Sequence, residues 1–214
     1  MSRDSSQMAN INYKAFLWPL SIGLITVLFN IRWLEVYHLL NAPQADSLVY
    51  LSEAYRDYWA MRNLEFRFLF EKYIVLGNQH VSPLLWWFAA LFFFIFGPDP
   101  INAYLVIALA YLIWIGGVVY LAWQVLQDRH YVIACGLLAA VLPSVAIHGL
   151  RHFMLDFVAA APFIWSTAFL VKSDLMLKRR DVLIYSALVA VTVLFRTTTI
   201  VYFISHIAIL IIQA

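Results

Sequence analysis

Few side chains in this chain can do chemistry, and most belong to two short stretches and one turn. Asp46 lies in Asn41-Ala42-Pro43-Gln44-Ala45-Asp46-Ser47-Leu48-Val49-Tyr50, and Asp156 ends Arg151-His152-Phe153-Met154-Leu155-Asp156. Asp46 precedes a stretch of helical spacing. It suits an N-cap, and equally a carboxylate at a water–lipid boundary that takes a proton. Asp156 precedes the apolar run from Phe157; it either caps that helix or binds a metal or an acceptor. Arg196 interrupts a long apolar run. At a helix centre in a membrane it would cost about 2.5–3.5 kcal/mol, but in a turn near the surface it either snorkels or binds. His148, His152 and Asp156 are spaced i, i+4, i+8, which on a continuous helix is one face and a metal triad. Gly149 argues against a continuous helix there, which leaves interfacial histidines as the alternative. Asp46, His80 and Asp156 could instead meet across two loops around a divalent ion.

The elements that must position these groups are membrane helices. The chain has 214 residues, 64% hydrophobic and 12% charged; a soluble domain is nearer half apolar and a quarter charged. A net charge of +2 is too balanced for a nucleic-acid binder. Aromatics make up 17%, with eight Trp, a density suited to membrane interfaces. The single cysteine, Cys135, excludes a disulfide framework and a Cys-based zinc site, and reads as a small buried hydrophobe.

Apolar runs of spanning length or near it lie at about 15–31, 101–126, 131–148, 157–171, 182–195 and 200–212. No small-x-small cleavage site follows the first, so it reads as an uncleaved anchor. Lys and Arg cluster at Arg3 and Lys14, at Arg129, and at Lys172, Lys178, Arg179 and Arg180. If all three clusters are cytoplasmic, an even number of crossings separates each pair. Three apolar runs lie between Lys14 and Arg129, so one does not cross. The shortest, Pro83–Phe96, is roughly 21 Å long as a helix against a hydrocarbon core near 30 Å. It is read as an interfacial helix over about 83–96. A second amphipathic helix, about 46–70, carries Leu48, Leu51, Tyr55, Tyr58 and Trp59 at helical spacing, with Glu53, Arg56 and Asp57 largely between them. The expectation is an all-α polytopic transmembrane bundle, a single domain over 1–214, with both interfacial helices in a long first outer loop, 32–100. The unanchored Ile211-Ile212-Gln213-Ala214 end reads as the front part of a longer protein.

Four segments in order carry a resemblance. They are Pro43-x-x-Asp46-x-x-x-Tyr50-x-x-x-Ala54; His80-Val81-Ser82-Pro83-Leu84-Leu85-Trp86-Trp87 running to Phe96-Gly97; Leu142-Pro143 followed by Arg151 to Asp156; and Leu194-Phe195-Arg196-Thr197. Together they resemble the GT-C superfamily of membrane glycosyltransferases, in particular the protein O-mannosyltransferases and bacterial aminoarabinose transferases. Many relatives have Asp-Glu where this chain has Asp46-Ser47, and a doubled proline or a basic residue beside proline where it has His80-Val81-Ser82-Pro83.

The resemblance implies transfer of a sugar from a polyprenyl-phosphate donor, at the periplasmic or lumenal face of a cell inner or endoplasmic reticulum membrane. Asp46 and Asp156 would then be catalytic, and Tyr50, His80, Arg151 and Arg196 would bind substrate. No cofactor is required by this chemistry; the residues alone offer Asp46, Asp156 and His80 as the set that could hold a divalent metal. A phosphate leaving group needs no acid, so one carboxylate can serve the acceptor while a guanidinium holds the phosphate. The alternative is a truncated, non-catalytic membrane subunit that binds lipid-linked sugars. A small-solute transporter would show inverted repeats, and the sequence has none.

Overall fold

A computed structural model describes residues 14–37, 45–72, 84–153, 155–174 and 176–213. Every element among the described residues is helical: α1 (Lys14–Tyr37), α2 (Ala45–Arg62), α3 (Phe66–Phe70), α4 (Leu84–Phe96), α5 (Pro100–Leu126), α6 (Arg129–Val141), a π-turn (Ser144–Gly149), α7 (Leu155–Lys172), α8 (Arg179–Phe195), a 3₁₀ segment (Thr197–Phe203) and α9 (Ile204–Gln213). Two of them, α1 and α5, are long and apolar enough to cross a membrane.

Local chemistry sets the ends. Asp99 accepts from the Ile101 amide at 2.9 Å, with Pro100 opening α5. Gln127 turns left-handed after α5, and Asp128 caps α6 by accepting from the His130 amide at 2.8 Å. The expected helix over about 46–70 is broken instead, because Leu64 takes a left-handed φ of 59° between α2 and α3. The run expected over 131–148 also changes form. Its α-helix stops at Val141 and resumes after Pro143 as the π-turn, since proline cannot donate to the turn before it. The last run begins as a 3₁₀ segment at Thr197 before α9.

α1 inverts the pattern of a soluble helix. Its buried stripe is Ala15, Pro19, Gly23, Val27, Asn30 and Leu34, while Trp18, Ile25, Leu28 and Phe29 face outward. Small residues inward and bulky apolar residues outward is the arrangement of helices packed in lipid. A Cβ on Gly136 of α6 would stand 2.5 Å from Val119 Cγ2 and 2.6 Å from Pro19 Cγ, so α1, α5 and α6 meet through this glycine.

Contacts along the helices fix their directions. Pro19 lies against Gly136, and Asn30 bonds Ala146, so α1 runs parallel to α6 and the π-turn. The rings of Tyr104, Tyr111 and Tyr120 meet Phe153, Phe157 and Trp165 in turn, so α5 and α7 run together. Lys172 pairs with Asp181 at 3.3 Å and Asp156 pairs with Arg196, so α8 runs back along α7. In consequence Lys14, Arg129 and the Lys172–Arg180 link share one end of the bundle. The other end gathers the close of α1, the start of α2, the π-turn, the start of α7 and the Arg196 turn.

Candidate functional site

That second end is joined by a few specific bonds. The Phe153 amide donates to Ser47 Oγ at 3.2 Å, with both residues buried. This ties the first turn of α2 to the segment between the π-turn and α7. Buried Asn30 donates to the carbonyls of Thr26 (2.8 Å) and Ala146 (2.9 Å) and accepts from Arg151 Nε at 2.8 Å. Arg151 also lies 3.9 Å from the Trp33 ring centroid, a cation–π contact. Arg196 Nη1 pairs with Asp156 Oδ1, and its Nε donates to Thr198 Oγ1 at 2.9 Å.

Between the π-turn and α7 is an open pocket of about 320 Å³. Ser144, His148, His152 and Asp156 supply its polar lining, and Phe157 and Ala160 its apolar floor. The two imidazoles lie parallel, 8° apart, with centroids at 6.0 Å. Burial first, then His148, then Arg151 push the pKa of His152 below its usual 6.5, so it is neutral at pH 7.

The expected site residues are distributed as follows. α2 begins at Ala45, so Asp46 stands inside the first turn and not in the cap position before it; its side chain lies outside the described part. An acidic residue in that turn still complements the helix dipole. His80 lies outside the described residues altogether. Asp156 and Arg196 are brought into contact. Arg151 is committed to Asn30 and Trp33 and clamps α1 to the π-turn. Tyr50 stacks on Trp86 of α4, with centroids 6.1 Å apart. Among the described residues no three His, Cys, Asp or Glu are placed to share an ion, the set His148, His152 and Asp156 included. Parallel rings explain this, because their in-plane lone pairs do not converge on one point.

A second charged group escaped the sequence reading. Lys72 sits between Asp57, with which it pairs directly, and Glu53 Oε2 at 2.7 Å, and Arg56 Nη2 reaches both oxygens of Glu53, Oε1 at 2.7 Å and Oε2 at 2.6 Å. Asp57 belongs to the buried face of α2 with Ser47, Leu51, Ala54 and Tyr58, whereas Leu48 and Trp59, assigned there by spacing, are exposed. The available signal was Glu53 and Asp57 at i, i+4 and Lys72 as the only lysine between 32 and 82. Nearby, Tyr55 donates to the Pro98 carbonyl at 3.2 Å, and burial with the charge of Asp99 raises its pKa to about 12.

Compared with protein-family models, curated proteins and solved structures, the chain matches none.

Proposed function

We propose that the chain is the multi-pass membrane core of a glycosyltransferase that moves a sugar from a polyprenyl-phosphate donor to an acceptor at the outer, periplasmic or lumenal, face. One observation carries this reading. At the end of the bundle away from the basic clusters, the helix holding Asp46 is bonded to the segment leading to Asp156, and Asp156 to Arg196. Three stretches far apart in sequence, those of Asp46, Asp156 and Arg196, thus meet in one region. In this reading the basic end is cytoplasmic, and the membrane is a cell inner or endoplasmic reticulum membrane.

The short run α4 fits a non-crossing helix. It has 13 residues, and its start, at Trp86, lies against Tyr50, one turn from Ser47. Its end joins α5 through the Gly97–Asp99 turn, and α5 begins at the same end of the bundle. Both ends of α4 therefore belong on one side.

In the reaction the acceptor O–H or N–H loses its proton to Asp46 and bonds to the sugar carbon. The bond from that carbon to the phosphate oxygen breaks, its electron pair leaving with the phosphate. The leaving anion needs no general acid, but its growing charge needs a partner, and a guanidinium binds it bidentately. Arg196 meets that need by exchanging Asp156 for phosphate. Asp46→Asn is the test: it is expected to abolish transfer from a panel of polyprenyl-phosphate sugars while membrane insertion stays intact. Unchanged transfer removes Asp46 from the reaction.

A second reading, a non-catalytic subunit that binds lipid-linked sugar, is favoured by the engagement of Asp156 with Arg196. It expects donor binding with no transfer by the wild-type chain.

A further inference from the structure

The pocket beside the π-turn holds two groups that the reaction above does not use. His148 and His152 both line it, and neither imidazole makes a hydrogen bond to another described residue. A π-turn adds one residue to the helical turn, and such distortions recur at functional sites; here it sets His148 face to face with His152. Two imidazoles lining one pocket can each present an N–H to an oxygen of the same anion.

We propose that this pocket is an anion site that takes a singly charged phosphodiester against His148 and His152 and takes up a proton as it does so. The proposal rests on the glycosyltransferase reading only in that a lipid-linked phosphodiester is that enzyme's donor.

The charges around the pocket carry the proton linkage. The segment after the π-turn contributes Arg151, which Tyr37 of α1 also faces; α7 contributes Asp156; the turn after α8 contributes Arg196. On α1, Arg32 and Glu35 pair with each other at 2.7 Å. Of the fixed charges only Asp156 lines the pocket, and Arg196 pairs with it. The lining therefore gains positive charge only when an imidazole binds a proton. In the empty pocket burial, His148 and Arg151 disfavour the charged form of His152. A bound anion favours it, so the pKa rises on binding. By linkage, affinity increases as pH falls through the pKa of the occupied site and levels off below that of the empty site. Each unit of difference is a factor of about ten in affinity.

The test uses the 214-residue chain in an uncharged maltoside detergent and two probes, dodecyl methyl phosphate and dimethyl phosphate. Both are phosphodiesters whose single charge is constant from about pH 5 to 8, so only the protein titrates. Dodecyl methyl phosphate is expected to bind about tenfold more tightly at pH 5.5 than at pH 7.5. His148→Gln and His152→Gln are each expected to cut that gain below about twofold. The His148 side chain is exposed, so its variant keeps the fold, and matched thermal unfolding checks both. The gain with both probes supports a site for the phosphodiester headgroup, free or anchored; the gain with the lipid probe alone supports an anchored ligand. Binding that ignores pH, or a pH gain that survives in both variants, overturns the proton-linked site and leaves the donor reading standing. No binding of either probe at either pH overturns both.

Discussion

Arg196 and Asp156 form an ion pair that bridges the turn after α8 and the first turn of α7, 40 positions apart in the chain. Their side chains are 39% and 65% exposed, so solvent screens the attraction. A pair this exposed contributes about 0.2–1 kcal/mol. Its cost to catalysis is far larger under the proposed reaction, because Arg196 must hold the departing phosphate. Arg196→Gln is expected to shift unfolding by less than about 1 kcal/mol and to lower transfer by about 10²–10³-fold, the usual loss for one anion-stabilising donor. Parallel unfolding and transfer assays separate the two effects, and a large stability loss with normal transfer would make the residue an anchor.

Lys72 and Asp57 present the opposite case. Their side chains are 6% and 0% exposed, and Lys72 also reaches Glu53. Removing one partner leaves an uncompensated buried charge, at a cost of about 3–5 kcal/mol. Lys72→Met is therefore expected to lower the unfolding midpoint sharply. Lys72→Met with Asp57→Leu is expected to recover much of the loss, since an apolar pair of similar volume avoids desolvation. A double variant no better than the single one would show that Glu53 and Arg56 carry the network instead.

The helices were legible because apolar runs, Asp99-Pro100 and Asp128 mark their limits in the sequence. The convergence of the Asp46, Asp156 and Arg196 segments followed from counting crossings between the basic clusters. Other features rest on pairings that spacing does not encode. Arg151 reads as a phosphate partner until Asn30, 121 positions away, takes its Nε and Trp33 takes its face. Asp57 reads as a solvated residue between apolar ones until Lys72 folds back from beyond Leu64 to neutralise it. The break at Leu64 is itself silent, because a left-handed leucine has no local signature, unlike a glycine. The π-turn follows Pro143, but the parallel packing of His148 on His152 has no signal in their spacing.

His152 makes stability depend on pH in a direction set by its surroundings. Burial, His148 and Arg151 lower its pKa in the folded chain, whereas the unfolded chain keeps a value near 6.5. The unfolded state therefore binds the proton first as pH falls. The folded state is fully stable above about pH 6.5 and loses stability as pH drops toward the lower folded pKa. His152→Gln is expected to flatten the part of the stability curve that falls below about pH 6.5. His148→Gln is expected to weaken the slope, because it removes the second largest cause. Denaturant unfolding at stepped pH measures both, and a wild-type curve that rises on acidification would reverse the assignment.

The topology of α4 gives the last expected outcome. If α4 lies on the outer side, its two ends face the same compartment, and the link between α7 and α8 faces the other. In a Cys135→Ser background, Leu84→Cys and Phe96→Cys probe the ends of α4, and Leu177→Cys probes the link. Phe96 and Leu177 are well exposed, so both positions accept a label. A membrane-impermeant maleimide applied from outside is expected to modify positions 84 and 96 and to reach 177 only after permeabilisation. Labelling of 84 and 96 from opposite sides makes α4 a true crossing. It would also put Lys14 and Arg129 in different compartments, and the shared cytoplasmic end of the basic clusters would fail with it.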